Sequence, residues 1–73
     1  MAKGKSWIIE ELRRVRKVKG LTQDELAFKI GCSVRSVQDW EYGVHDPSTF
    51  NLECWCEALG VELSLAVREE GSE

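Results

Sequence analysis

Two short helices joined by a tight turn are predicted within residues 21–41, and this stretch constrains the fold more than any other. Thr22, followed three residues later by Glu25, forms a capping box, so a helix begins there. Gly31 ends that helix, because glycine readily adopts the left-handed backbone conformation found after many helices. Ser33 can then cap a second helix, which the turn holds at a fixed angle to the first.

Both helices carry their apolar residues on one side. Leu26 and Ile30 form a stripe in the first helix, with Ala27 between them, and Val37 and Trp40 share one face of the second. The other side chains of the second helix are polar and point elsewhere: Arg35, Ser36, Gln38 and Asp39. A helix with a polar outer face, supported by a neighbouring helix, is suited to entering the major groove of DNA.

A further helix is predicted on each side of this pair. The N-terminal helix should span about Ser6–Lys19, and the C-terminal helix about Ser48–Leu59, closed by Gly60. Glycine and proline make residues 42–47 a loop. Helical spacing directs the following side chains inward: Ile8, Leu12, Val15, Leu52, Trp55, Cys56 and Leu59. The same spacing predicts that all three tryptophans, Trp7, Trp40 and Trp55, belong to the core.

The residues after Gly60 change from helical spacing to alternation. Apolar residues recur at every second position and predict a β-strand over residues 61–68: Val61, Leu63, Leu65 and Val67. A lone strand leaves its backbone groups unpaired, so it must pair outside its own chain or fray. Antiparallel pairing with the same strand of a second copy is the simplest solution. A frayed or helical tail and pairing with another protein are the alternatives.

Five segments together resemble the Cro/repressor-type (Xre-like) helix-turn-helix domains of phage repressors and small bacterial regulators. LRRVRKVKG, LTQDELAFKIG, CSVRSVQDWEYG, DPS and EALGV follow the family's order from about Leu12 to Gly60. The ending LGVELSLAV is similar to helix-turn-helix antitoxins that dimerise through a C-terminal strand. The resemblance implies an all-α, four-helix, lambda-repressor-like domain (residues 1–60), with one C-terminal β-strand (61–68) pairing across a homodimer and an acidic tail (69–73).

The resemblance also assigns roles to individual side chains. The residues implied to read bases are Val34, Arg35, Gln38 and Asp39. Those implied to contact phosphate are Gln23, Ser33 and Ser36, with Arg13, Lys17, Lys19 and Tyr42 at the edges of the motif. Arginine can bond guanine twice and glutamine can bond adenine twice, so Arg35 and Gln38 fit best. Asp39 fits least, unless it accepts from cytosine or orients Arg35.

A structural ion pair between Arg16 and Glu41 is implied by the same resemblance. Members of the family often place an arginine late in the first helix and a glutamate at the end of the third, where the two side chains bridge. Such a pair, if partly buried, would be costly to break from one side, because the remaining charge would stay desolvated.

Charge is distributed unevenly along the chain, whose formal net charge is −3. Residues 1–20 carry seven Lys and Arg against two Glu, a charge of +5, whereas residues 49–73 carry one Arg against six Glu, a charge of −5. Such a chain can present a basic face to DNA while its far side stays acidic. A mixed, solvated surface accounts for the same numbers, so charge alone does not decide the function.

Composition disfavours several other classes of protein. Cys54 and Cys56 are two residues apart on a predicted helix and point away from each other, and Cys32 faces the core, so we predict reduced structural thiols and no metal site. No apolar run reaches the ~20 residues that span a bilayer. No cofactor fingerprint or nucleophile–base pair is present. We therefore expect a cytoplasmic protein without cofactor, metal or membrane.

The residues, together with the resemblance, thus favour a sequence-specific DNA-binding transcriptional regulator, expected to be a repressor that binds a palindromic operator as a homodimer. The alternative is an antitoxin that binds and neutralises a toxin protein as well as regulating its own operon. An enzyme is disfavoured, since His45 beside Asp46 is the only candidate acid–base group and a loop histidine is usually just solvated. The expected partners are double-stranded DNA, a second copy of the chain and, in the alternative, a toxin.

Overall fold

Four α-helices make up the fold in the computed structural model, which describes residues 6–62. They are α1 (Ser6–Val18), α2 (Gln23–Ile30), α3 (Val34–Glu41) and α4 (Thr49–Leu59). The predicted four-helix, all-α arrangement is confirmed for this part of the chain. The predicted bounds of the outer helices differ by one residue at one end each, since α1 ends before Lys19 and Ser48 caps α4 from outside.

The local signals that define α2 and α3 form as predicted. The Thr22 hydroxyl accepts a hydrogen bond from the Glu25 N–H at 3.0 Å, and the Thr22 N–H donates to the Glu25 carboxylate at 2.9 Å. Gly31 ends α2 with a φ of 89°, a left-handed conformation that L side chains rarely adopt. Ser33 then accepts from the Ser36 N–H at 3.2 Å and starts α3. These bonds set where the turn between the helices begins and ends.

A single core joins the four helices. It consists of buried residues from every helix: Ile9, Leu12, Leu26, Ala27, Val37, Trp40, Leu52, Trp55, Cys56 and Leu59. All four inward-facing residues predicted for α4 are among them. The rings of Trp40 and Trp55 lie 5.8 Å apart between centroids, at a tilt of 32°, so α3 and α4 meet through an aromatic contact.

The prediction that Trp7 lies in the core was wrong. Its side chain is 59% exposed, whereas Ile9, two residues along α1, is buried. Residues two apart on a helix point to nearly opposite sides, so both cannot face the same core. The inward face of α1 is also rotated from the prediction: Ile8 and Val15 are only partly buried, and Arg16 is buried.

The C-terminal strand prediction lies mostly outside the described residues. Val61 and Glu62 are described and form no strand, and the Val61 N–H donates to the Cys56 carbonyl at 3.0 Å, as part of the end of α4. Leu63, Leu65 and Val67 lie beyond residue 62. Pairing of this segment across a dimer therefore stays a prediction.

Candidate nucleic-acid interface

The outer face of α3 is exposed because its inner face is fixed in the core. Val37 is fully buried, and Trp40 is nearly so and packs against Trp55. A helix that buries one face presents the opposite face to the outside, and Arg35 and Asp39 lie on that opposite face of α3. The Arg35 side chain is 79% exposed, the greatest exposure among the four candidate base-reading residues, of which the other three are half-buried.

Asp39 lies one helical turn after Arg35 and bonds to it. Its carboxylate accepts a hydrogen bond from the Arg35 Nε at 3.2 Å. A pair of this kind on a helix surface contributes only about 0.3–0.5 kcal/mol to stability, so its main effect is to orient the guanidinium. The terminal N–H groups of Arg35 then remain available to an external acceptor. This geometry matches the second of the two roles that the sequence left open for Asp39.

The other candidates at the start of α3 are partly used by the fold itself. Val34 is half-buried and packs against the core, so only part of its side chain can contact a base. The Ser33 hydroxyl caps α3 and lies 3.2 Å from the Ser36 hydroxyl. A hydroxyl still has a second lone pair or a rotatable proton, so both serines can bond a phosphate at the groove edge.

Arg16 and Glu41 form a buried ion pair that braces α1 against the end of α3. The Arg16 Nε donates to Glu41 Oε2 at 2.7 Å and a terminal nitrogen donates to Oε1 at 3.0 Å, a two-pronged contact. The third guanidinium nitrogen donates to the Leu21 carbonyl at 2.6 Å, just before α2. Both charged residues are only 7% exposed. One arginine thus ties together α1, the segment just before α2, and α3.

A chain of hydrogen bonds runs outward from this ion pair to the surface of α3. The Gln23 side-chain amide donates to Glu41 Oε1 at 3.0 Å and to the Tyr42 hydroxyl at 3.3 Å. Its carbonyl oxygen accepts from the Gln38 amide at 3.3 Å. We call Arg16, Glu41, Gln23, Gln38 and Tyr42 the Glu41 network. The resemblance implied its Arg16–Glu41 pair, but the bonds through Gln23 were not predicted, because they join residues 15 to 19 positions apart.

The charge of Glu41 sets the orientation of both amides in the Glu41 network. A carboxylate only accepts, so the NH2 group of Gln23 must face it, which turns the Gln23 oxygen towards Gln38. Gln38 therefore donates inward with one N–H and keeps its oxygen and its second N–H for another partner. One acceptor and one donor side by side is the pattern that pairs with adenine N6 and N7. Gln23 itself has no side-chain N–H left for a phosphate, although it opens α2, where backbone N–H groups favour anions.

A further basic residue of α1, Arg13, borders the Glu41 network. The Arg13 guanidinium lies 5.7 Å from the centre of the Tyr42 ring, and its Nε lies 3.7 Å from Glu41 Oε1 without a hydrogen-bond partner in the described chain. Tyr42 is 59% exposed, and Arg13 and Tyr42 place positive charge and a hydroxyl at the end of α3. Lys17, in the last turn of α1, and Lys19, just after α1, are exposed. That arrangement suits contacts to the DNA backbone.

The cysteines lie apart from this surface. All three are free, and Cys32 is half-buried against the core, as predicted. Burial raises the pKa of the Cys32 and Cys56 thiols above their ordinary value, which keeps them protonated at neutral pH and makes them poor ligands. Within residues 6–62 no cluster of three or more His, Cys, Asp or Glu side chains could hold a metal ion.

Comparison with known families identifies the fold. A model of the Cro/C1-type (Xre-like) helix-turn-helix family matches residues 12–65, well over half of the chain. The chain belongs to this family. Neither the comparison with curated proteins nor that with solved structures finds a match.

Membership of this helix-turn-helix family indicates the general function of the chain. Its family consists of DNA-binding regulators, so this chain is a DNA-binding regulator of transcription. The α2–turn–α3 unit, which lies inside the matched residues, is the part that the family uses for DNA. In the described residues no helix has the length and apolar character needed to cross a membrane.

Proposed function

We propose that this regulator is a sequence-specific repressor that binds a palindromic operator as a homodimer, with α3 of each copy in a major groove. The observation that carries the proposal is the exposed Arg35, held by Asp39 on the outer face of a helix whose inner face is fixed in the core. An oriented guanidinium can bond both O6 and N7 of one guanine. Gln38, oriented by the Glu41 network, would read a neighbouring adenine.

Contacts to phosphate would come from the residues around α3. Arg13 and Lys17 lie on α1 and Lys19 just follows it, Tyr42 follows α3, and the hydroxyls of Ser33 and Ser36 lie at the start of α3. Contacts of this kind carry no sequence information but fix the position of the protein on the duplex. With two copies related by a two-fold axis, the half-sites would lie about one helical turn apart. The proposed location is the cytoplasm, where a regulator of this kind would meet its operator.

Fluorescence anisotropy on labelled DNA from the chain's own promoter region tests the proposal. Arg35→Ala should weaken binding to the preferred site by about 1–3 kcal/mol, because one bidentate base contact is lost. Lys29→Ala is the matched control. It removes the same charge from an exposed residue of α2 that borders a groove with Cys54 and Glu57 of α4, away from the outer face of α3.

The comparison of the two variants separates base reading from simple charge. Binding that falls for Arg35→Ala and hardly changes for Lys29→Ala supports base reading by α3. Equal losses in both variants would mean that only net charge matters and would contradict the assignment. A reporter gene behind the same promoter then tests repression, since the proposal expects expression to rise when Arg35 is replaced.

A second candidate function is that of an antitoxin, in which the domain also holds a toxin. It is supported by Phe28, which is 86% exposed on α2 and lines a shallow groove with Leu21, Asp24 and Lys29. A large apolar side chain surrounded by charged ones is a common feature of protein-binding surfaces. Co-purification with the product of the neighbouring gene tests this role. Phe28→Ser should abolish it without changing DNA binding.

A further inference from the structure

An apolar groove lies on the side of the domain where α1 passes the end of α4. It has a volume of about 340 Å³, and its walls include Trp7, Ile8, Val15, Cys56 and Val61. We call it the Trp7 groove. Trp7 is 59% exposed there, and Ile8 and Val15 are only partly buried. Covering apolar surface of this kind with another apolar surface removes it from water and stabilises the protein.

The described part of the chain ends at the rim of the Trp7 groove. Val61 packs against the core, and Glu62, the last described residue, also lines the groove. The eleven residues that follow begin with Leu63 and continue with Leu65 and Val67 at alternate positions. In an extended chain these three side chains lie on the same face as Val61. The apolar face of the segment therefore starts where the groove starts.

An extended segment on the Trp7 groove needs a partner for its backbone. The groove is lined by side chains, mostly those of α1 and α4, and these leave the N–H and C=O groups of a strand unpaired. A second copy of the same segment supplies those partners in antiparallel pairing about a two-fold axis. Pairing centred on Ser64 is the register that sets all four apolar residues opposite one another. It places Val67 of one copy beside Val61 of the other, and Leu65 beside Leu63.

We propose that the Trp7 groove is covered by the C-terminal segment of a second copy of this chain, paired with the chain's own segment. The inference rests on the homodimer in the proposed function and names the surface that closes it. The two-stranded ribbon turns the apolar face of both segments onto the grooves of both copies, and its other face carries Glu62, Ser64, Ala66 and Arg68 to solvent. Trp7 becomes buried only in the dimer.

Tryptophan fluorescence of the full chain measures whether Trp7 is buried in the dimer. Trp40 and Trp55 are buried, so Trp7 is the tryptophan that a soluble quencher such as acrylamide can reach. The proposal expects Trp7 to be protected at high protein concentration and to become quenchable on dilution, together with dissociation in sedimentation runs. Trp7→Phe, measured alongside, assigns the quenchable signal to that residue.

Two variants of the tail form a matched pair. Leu65→Asp places a charge on the face directed at the groove and should give a monomer with Trp7 quenchable at all concentrations. Ala66→Asp places the same charge on the opposite face of the segment and should behave like the unchanged chain. Circular dichroism checks that both variants retain the helical domain.

The outcomes distinguish the groove from the dimer. A dimer in which Trp7 stays quenchable would overturn the groove assignment and leave the homodimer standing. A chain that is monomeric at every concentration, with Trp7 quenchable, would overturn both the groove assignment and the homodimer. A monomer with a protected Trp7 would show that the chain's own segment covers the groove, and would overturn the second copy as its occupant. Equal behaviour of Leu65→Asp and Ala66→Asp would contradict the proposed face.

Discussion

The Glu41 network and the Trp7 groove lie in the same small domain but are built in opposite ways. In the Glu41 network each buried charge meets its partner inside one chain, from Arg16 to Glu41 and outward through Gln23 to Gln38. In the Trp7 groove apolar side chains remain exposed or only partly buried. The Glu41 network is complete in a single copy of the chain, whereas the Trp7 groove contributes to stability only when an apolar surface covers it.

This difference shows how a short chain can use one region for DNA reading and another for assembly. A surface that reads DNA needs side chains held in position before the ligand arrives, and bonds within the chain provide that. A 73-residue chain buries a modest fraction of its surface, so apolar residues left over from the core are available for a partner subunit. We therefore expect changes in the Glu41 network to affect the folded chain and base choice, and changes at the Trp7 groove to affect assembly.

The largest effect is expected from Glu41→Ala. The change leaves the buried guanidinium of Arg16 without its carboxylate, so the free energy of unfolding should fall by about 3–5 kcal/mol. Urea unfolding at a fixed protein concentration measures this. Replacing both partners, with Arg16→Met and Glu41→Leu, should recover most of the loss because no unpaired charge remains. A double variant no more stable than Glu41→Ala would contradict this account of the pair.

The control for Glu41→Ala is the exposed ion pair between Glu11 and Arg14 on α1. A hydrogen bond from Arg14 holds the pKa of the Glu11 carboxyl below its ordinary value, yet both side chains lie largely in water. Solvent screens such pairs, so Glu11→Ala should leave the urea midpoint nearly unchanged. If Glu11→Ala lowered the free energy of unfolding as much as Glu41→Ala does, burial would not be the cause of the large contribution of the Arg16–Glu41 pair.

Gln38→Ala should have the next largest effect, and on base choice rather than on folding. Losing the oriented amide should remove about 1–3 kcal/mol of preference for adenine at one position of each half-site. Competition binding with operators changed at single base pairs measures it. Unfolding should change little, since Gln38 makes one side-chain hydrogen bond in the described structure. An unchanged preference would exclude Gln38 from base reading.

Gln23→Ala should lower both the stability of the fold and the discrimination between bases, each by less than the preceding variants. It removes the hydrogen bonds from Gln23 to Glu41 and Tyr42, which should cost about 1 kcal/mol of stability. It also frees the Gln38 amide to turn, so discrimination between adenine and guanine should weaken while the affinity for the preferred site falls less. If discrimination stays intact, the hydrogen bond between the two glutamines does not set the orientation of Gln38.

The smallest effect is expected from the exposed lysines at the end of α1. Lys19→Ala should weaken binding to all DNA sequences alike and reduce the slope of log affinity against log salt by about 1, because one phosphate contact is lost. Anisotropy titrations at several salt concentrations measure the slope. A variant that changed sequence preference without changing the slope would place Lys19 at a base instead.

The parts of the fold that depend on near neighbours in sequence were predictable. The capping box at Thr22 and Glu25, the left-handed Gly31 and the cap at Ser33 each involve residues within three positions, and all of them form. The inward face of α1 was less predictable. Arg16 is buried because Glu41 lies across from it, and no local pattern distinguishes such an arginine from one in solvent.

Long-range contacts explain what the sequence could not show about the candidate site. Arg35 and Gln38 could be selected from their place on a polar helix face, but the roles of Gln23 and Asp39 depend on which atoms they meet. Gln23 bonds across to Glu41 and Gln38, and Asp39 bonds to Arg35. Trp7 was misassigned because helical spacing predicted an inward position for it, whereas it lies on the far side of α1 from the buried Ile9.

Selection of binding sites from randomised duplex DNA tests the central claim most directly, with the full chain and Arg35→Ala compared in parallel. The account predicts a palindromic consensus for the unchanged chain, with a guanine in each half-site whose preference disappears symmetrically in the variant. An identical consensus from both proteins, or no enrichment from the unchanged chain, would contradict the claim that α3 reads DNA through Arg35.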